Sequence, residues 1–150
     1  MRKTVPLLLS LLLAAPISAG ELPIRPDPKL TPGAVLTTDA TTVCQPGYAK
    51  SVRHTSGKMK ASIYREYGID RASGHFEVDH LISLELGGAD VAENLWPQSY
   101  DTMPWNAHVK DKLEDRLHVM VCAGKLSLEQ AQRDITTDWI AANEKYVGRQ

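Results

Sequence analysis

The residues best equipped for chemistry lie in one stretch, Glu77-Val78-Asp79-His80, followed by Gly87-Gly88 and by Asn94-Leu95-Trp96-Pro97-Gln98. An aspartate beside a histidine at the end of a strand offers a hard oxygen ligand and an imidazole base within a few ångströms of each other. Adjacent strand residues point to opposite faces, so the two can serve one site only where the strand ends or bulges. The loop that follows permits that. An Asp-His pair alone is a weak signal, since surface pairs and helix caps also use it. Its meaning depends on the elements that must position it.

His75 to Leu81 alternates, with Phe76 and Val78 on one face and Glu77 and Asp79 on the other, which is the period of a strand. Asn94, Leu95 and Trp96 form its partner strand, ended by Pro97, so the pair reads as a hairpin with a long, glycine-marked connection. Upstream, Ser56 caps a short helix with Met59, Ile63, Tyr64 and Tyr67 on one face, and Gly68 ends it. Downstream, Asp101 or Thr102 caps a longer helix with Pro104 in its first turn. Its apolar residues Val109, Leu113, Leu117, Met120 and Val121 recur at helical spacing, and Gly124 stops it. Ser127 with Gln130 opens a last helix carrying Leu128, Ala131, Ile135 and Trp139 inward and ending near Gly148. The order helix, hairpin, helix, helix is that of an α+β domain.

A chain of 150 residues suits one domain. Residues 1–19 read as a secretory signal peptide: Arg2 and Lys3, an apolar run from Val5 to Ile17, then the small residues Ser18, Ala19 and Gly20. Pro6, Ser10 and Pro16 break the run, which falls short of the roughly 20 apolar residues of a spanning helix. No membrane anchor is expected, and the product is periplasmic or secreted. Residues 20–42 hold Pro23, Pro26, Pro28, Pro32 and Gly33 without apolar periodicity, an extended and mobile leader. The folded domain is then 43–150.

The signal segment carries two of the 17 Lys and Arg and none of the 18 Asp and Glu, so the remainder is slightly acidic and nothing global advertises nucleic acid. Between Gln45 and Ser73, however, Lys50, Arg53, Lys58, Lys60, Arg65 and Arg71 face only Glu66 and Asp70. That stretch is either a local cationic patch or a solvated helix face. Cys44 and Cys122 lie outside any C-x-x-C spacing, which argues against a zinc knuckle or a thioredoxin-like motif. In an exported chain they are expected to pair, free buried thiols being the alternative.

The whole string D-H-L-I-x-L-E-L-G-G at 79–88 with N-L-W-P-Q at 94–98 resembles the HNH endonucleases of the ββα-metal (His-Me finger) superfamily. V-C-Q-P-G-Y at 43–48, Y-G-I at 67–69, K-D-K-L-E at 110–114 and V-C-A-G-K at 121–125 are similar to an exported subgroup. The resemblance implies a ββα-metal finger, a short antiparallel hairpin plus a helix, with additional flanking helices. In that fold the hairpin and helix clasp one divalent cation against a scissile phosphate. Asp79 becomes a metal ligand, His80 the general base, and Asn94 the residue that steadies the loop and the histidine. The family's last His or Asn falls about nine residues beyond the middle Asn, where this chain has Met103.

Asn106 and His108 compete for that third role. At about 100° per residue from Asn106, Lys110 falls near 40° and Leu117 near 20°, whereas His108 falls near 200° beside Asp115. Asn106 thus sits on the apolar stripe that faces the hairpin and is the expected additional metal ligand; the other possibility is that it caps the helix start.

A phosphodiester is anionic, so its hydrolysis needs a cation to offset charge in the transition state. Carboxylate, amide and water ligands suit Mg²⁺ or Mn²⁺. Histidine, with an unperturbed pKa of about 6.5, can accept the proton of the attacking water. The family resemblance implies products with a 5′ phosphate and a 3′ hydroxyl. Arg53 and Lys110 are expected phosphate contacts, with surface salt bridging as the alternative. His54, His75 and His118 read as surface residues, and Trp96, Trp105 and Trp139 as core anchors. No base-reading module is visible. The expected function is therefore cleavage of DNA, or RNA, with little sequence preference, by a monomer. The alternatives are a nucleic-acid- or metal-binding protein on the same scaffold, and a phosphodiesterase acting on small molecules.

Overall fold

The computed structural model describes residues 23–149, so the expected signal peptide at 1–19 lies outside the described residues. Two four-residue helices, α1 (Ala40–Val43) and α2 (Tyr48–Ser51), precede α3 (Gly57–Glu66). A hairpin of β1 (Phe76–His80) and β2 (Leu95–Ser99) follows, and then α4 (Ala107–Cys122) and α5 (Leu128–Tyr146). The domain is α+β, its two-stranded sheet antiparallel with His80 opposite Leu95 and Asp79 opposite Trp96.

The alternation in β1 splits the hairpin between two partners. Val78 and Leu95 pack on Ile63 and Tyr64 of α3, with Met59, Tyr67 and Phe76 around them. The opposite face turns toward α4, where Asp79 meets Lys110. Val109, Leu113, Leu117 and Val121 of α4 pack against Leu128, Ala131, Ile135 and Trp139 of α5, forming the larger core with Ile82 and Leu86. Trp96 and Trp139 are fully buried, and Trp105 packs edge-on to Trp139. Two of the three anchors expected from sequence are core residues, and Trp105 is half-buried against the core.

Three local expectations need correction. Pro97 does not end β2 but lies inside it, opposite Val78. Bonds from Leu81 N to Asn94 O and from Tyr100 N to His75 O put the hydrogen-bonding pairs at the odd positions of β1. Pro97 therefore occupies a non-bonding position, where its missing N–H costs the ladder nothing. Second, α4 starts later than Asp101 or Thr102. The Asp101 carboxylate accepts the His75 amide at 3.0 Å and the Thr102 hydroxyl donates to Trp105 O at 2.6 Å, so neither reaches the helix amides.

Third, the segment expected as a mobile leader is extended but docked. Ile24 O accepts the Trp139 indole N–H at 2.8 Å, and Arg25 makes a two-pronged ion pair with Asp138 at 3.0 and 2.9 Å. Thr31 is buried and donates to Leu95 O at 2.8 Å, and Val35 pairs with Gly88. Its prolines, all before Gly33, keep that part extended without preventing packing, because the backbone finds partners on the domain, and the segment's last residues already belong to α1. Asp138 also breaks α5 locally (φ −163°, ψ 101°) and caps its second half through Ile140 N.

The expected Cys44–Cys122 bridge is present, joining the end of α1 to the end of α4 with Cα atoms 5.7 Å apart. A bonded pair is compatible with an oxidising extracellular compartment. Among the described residues no helix is long and apolar enough to cross a membrane.

Candidate functional site

β1 ends at His80, and the chain that leaves it is held by one buried side chain. Asn94 accepts from Ile82 N at 3.0 Å and donates to Ile82 O and Ala89 O, both at 2.9 Å. Its carbonyl also takes Ala34 N at 3.4 Å. Gly88 makes this possible: a Cβ there would lie 1.8 Å from Ile82 O. Asn94 thus ties the loop to the hairpin, and it is a positioning residue with no place in the cleft lining. Asn94→Ala is expected to lower stability by about 3 kcal/mol, because it strands buried backbone groups. A loss below about 0.5 kcal/mol on urea unfolding would show that the loop holds itself.

His80 is almost wholly enclosed. Its Nε2 lies 2.7 Å from Asp90 Oδ1, with the two side chains 4% and 5% exposed. Asp90 is in turn fixed by the His54 amide and the Thr55 hydroxyl, which lead into the Ser56 cap of α3. Burial pushes the His80 pKa below its ordinary value against the opposing pull of Asp90 and Asp79. The imidazole is therefore held neutral, with Nε2–H donating to Asp90 and Nδ1 left as the acceptor. Sequence reading passed over Asp90, whose only signal was an acidic residue just after the double glycine.

Burial alone would raise the Asp90 pKa, but hydrogen bonds from Thr55, His54 and His80 outweigh it and hold the carboxyl at about 2, below its ordinary 3.8. A depressed carboxylate stabilises the fold above the unfolded pKa and loses that contribution as pH falls through the folded one. Between about pH 4 and pH 2 the wild type should therefore lose about 2 kcal/mol relative to Asp90→Asn. Parallel acid denaturation curves for the two proteins would show that Asp90 is not so held.

Asp79 leaves β1 on the opposite face. Its Oδ2 accepts from Lys110 Nζ at 2.6 Å, and the same ammonium donates to His80 O at 2.7 Å and to Glu114 Oε1. Lys110 is 0% exposed, so it is not the surface phosphate contact expected from sequence. The reason is its place on the apolar stripe of α4, which turns it into the hairpin. Burial by itself would lower its pKa, but the charges of Asp79 and Glu114 raise it above the ordinary value and keep it protonated.

Asp79 and His80 nonetheless meet at one cleft of about 200 Å³, because the strand ends there. Its walls carry Asp79, Glu85, Asp111, Glu114, Asp115, Arg53 and His80. Arg53 is exposed. Lys50, Lys58, Lys60, Arg65 and Arg71 are exposed, and with Arg53 they form no salt bridge among the described residues. Glu77 lies off the cleft beside Tyr100, its carboxyl raised by burial.

Asn106 is not brought to the cleft. Its Oδ1 accepts from Val109 N at 3.2 Å as the cap of α4, the other role considered for it. It sits one helical turn, about 6 Å, before Lys110, at the wrong level to meet Asp79. His108 is exposed and leans on the Tyr100 ring. The helix contributes Glu114, Asp111 and Lys110 instead. The K-D-K-L-E phrase contains all three, with Lys110 buried, Glu114 half-buried and Asp111 exposed.

The oxygen donors of the cleft fit a hard divalent cation such as Mg²⁺ or Mn²⁺. The sulfur-rich group Cys44, His118 and Cys122 does not fit a soft one, since the two sulfurs are bonded to each other. Neither a family model, a curated protein nor a solved structure matches this chain.

Proposed function

We propose that the protein is an exported, divalent-metal-dependent endonuclease of the HNH type, its hairpin and α4 forming a ββα-metal finger that hydrolyses phosphodiester bonds of DNA or RNA. The observation that carries this reading is the meeting, at the end of β1, of a buried histidine backed by Asp90 and a carboxylate cleft opened by Asp79. His80 accepts a proton from water at Nδ1, while Asp90 fixes the ring and its tautomer. Asp79, with Glu114 and Asp111 nearby, would hold Mg²⁺ or Mn²⁺, which supplies charge stabilisation at the phosphate when bound. Arg53 and the unpaired cations from Lys50 to Arg71 attract the polyanion that the acidic cleft alone would repel.

One observation favours a second reading, a non-catalytic binding protein on the same scaffold: the Lys110 ammonium fills the space between Asp79 and Glu114. Incubation of the purified protein with supercoiled plasmid in Mg²⁺, with an EDTA control, separates the two. Nicking that stops in EDTA supports the nuclease, and an intact plasmid bound by the protein supports the second reading.

A further inference from the structure

Beneath Asp79 three oxygens converge on one point: Asp79 Oδ2, the backbone oxygen of His80, and Glu114 Oε1. Carboxylate and carbonyl oxygens in this arrangement are the ligand types of a hard cation. The cation present is the ammonium of Lys110, whose three N–H bonds match the three acceptors one for one. Fully buried, it has no other means of offsetting the loss of its hydration. The remaining Asp79 oxygen, Oδ1, makes no hydrogen bond among the described residues, and Asp79 lines the cleft.

We propose that Lys110 is the resident cation of this inner oxygen seat, a positioning residue that fixes Asp79 and Glu114 and confines a divalent ion to the cleft side. A second cation cannot share the seat, because its charge would be opposed by the ammonium at contact distance. Removing the ammonium while keeping the stem, as in Lys110→Met, turns the seat into a divalent-cation site. The inference extends the metal-binding part of the proposed function and needs no phosphodiester cleavage.

The test is made on the disulfide-intact protein. In the wild type the Lys110 NH₃⁺ group, assigned through its own side-chain carbons, should give a slowly exchanging NMR signal that persists in saturating Mg²⁺. Its absence, or its loss on adding Mg²⁺, would overturn the proposal. Mn²⁺ binding followed by electron paramagnetic resonance should show one more bound ion in Lys110→Met than in the wild type, lost again in Lys110→Met/Glu114→Gln. No additional ion in folded Lys110→Met would also overturn it. Should that variant not fold, the wild-type signal decides alone. Both readouts are independent of plasmid cutting, so a failed nuclease assay and a failed lysine seat are told apart.

Discussion

Replacing His80 by alanine is expected, under the proposed function, to lower phosphodiester cleavage by at least about a hundredfold while leaving divalent-ion binding nearly unchanged. The magnitude is that of a lost general base, typically 10²- to 10⁴-fold. The separation from metal binding follows from direction: the His80 ring turns to Asp90, whereas Asp79 leaves the strand on the other side toward Lys110 and Glu114. Because the ring is buried, the variant also needs a folding control, and retained circular dichroism with intact Mn²⁺ affinity provides one. Asp79→Ala should show the converse pattern, with weakened metal binding as the primary defect. A His80→Ala protein that cuts plasmid at near wild-type rate between pH 6 and pH 9 would remove the base from the proposed mechanism.

Loss of the Cys44–Cys122 bridge should have the largest effect on stability. The bridge closes a loop of 78 residues. In the chain-entropy account a loop of that size restricts the unfolded state by roughly 4 kcal/mol. Set against a typical domain stability of about 5–15 kcal/mol, this is a large fraction. Cys44→Ala/Cys122→Ala, or the wild type in reductant, should melt on the order of 10 to 20 °C lower. Mass analysis of the folded protein without reductant checks the premise, since two alkylatable thiols would show no bridge. The cleft should feel the loss as well. The bridge anchors the end of α4, and His118 on that helix contacts Val43 O and approaches Glu85 of the cleft wall.

Elements were legible where one local rule acts alone. Ser56 and Ser127 cap their helices because a hydroxyl there satisfies an amide that no intrahelical carbonyl can reach. The period-two pattern of β1 correctly separated the α3-facing side chains from those facing α4. Asn94 and the double glycine were recognisable through the resemblance, and the structure gives their physical reason in the backbone contact at Gly88. The docked segment from Ile24 to Leu36 was not legible, because extended proline-rich chain has no period and its partners lie 36 to 115 residues away in the sequence.

For the site, the sequence by itself determined which residues end β1 and that an aspartate and a histidine are adjacent there. It also placed Lys110 on the inner stripe of α4, near Leu117, although charge alone suggested a surface role. Tertiary structure decided the partners. Asp90 reaches His80 only when the loop folds back under Asn94, and Glu114 reaches the Asp79 side only when α4 lies across the hairpin. Local spacing dictates which way a side chain leaves its element, because that depends on backbone dihedrals within a few residues. What it meets, and hence whether a buried lysine is stranded or caged by three oxygens, depends on how distant elements pack.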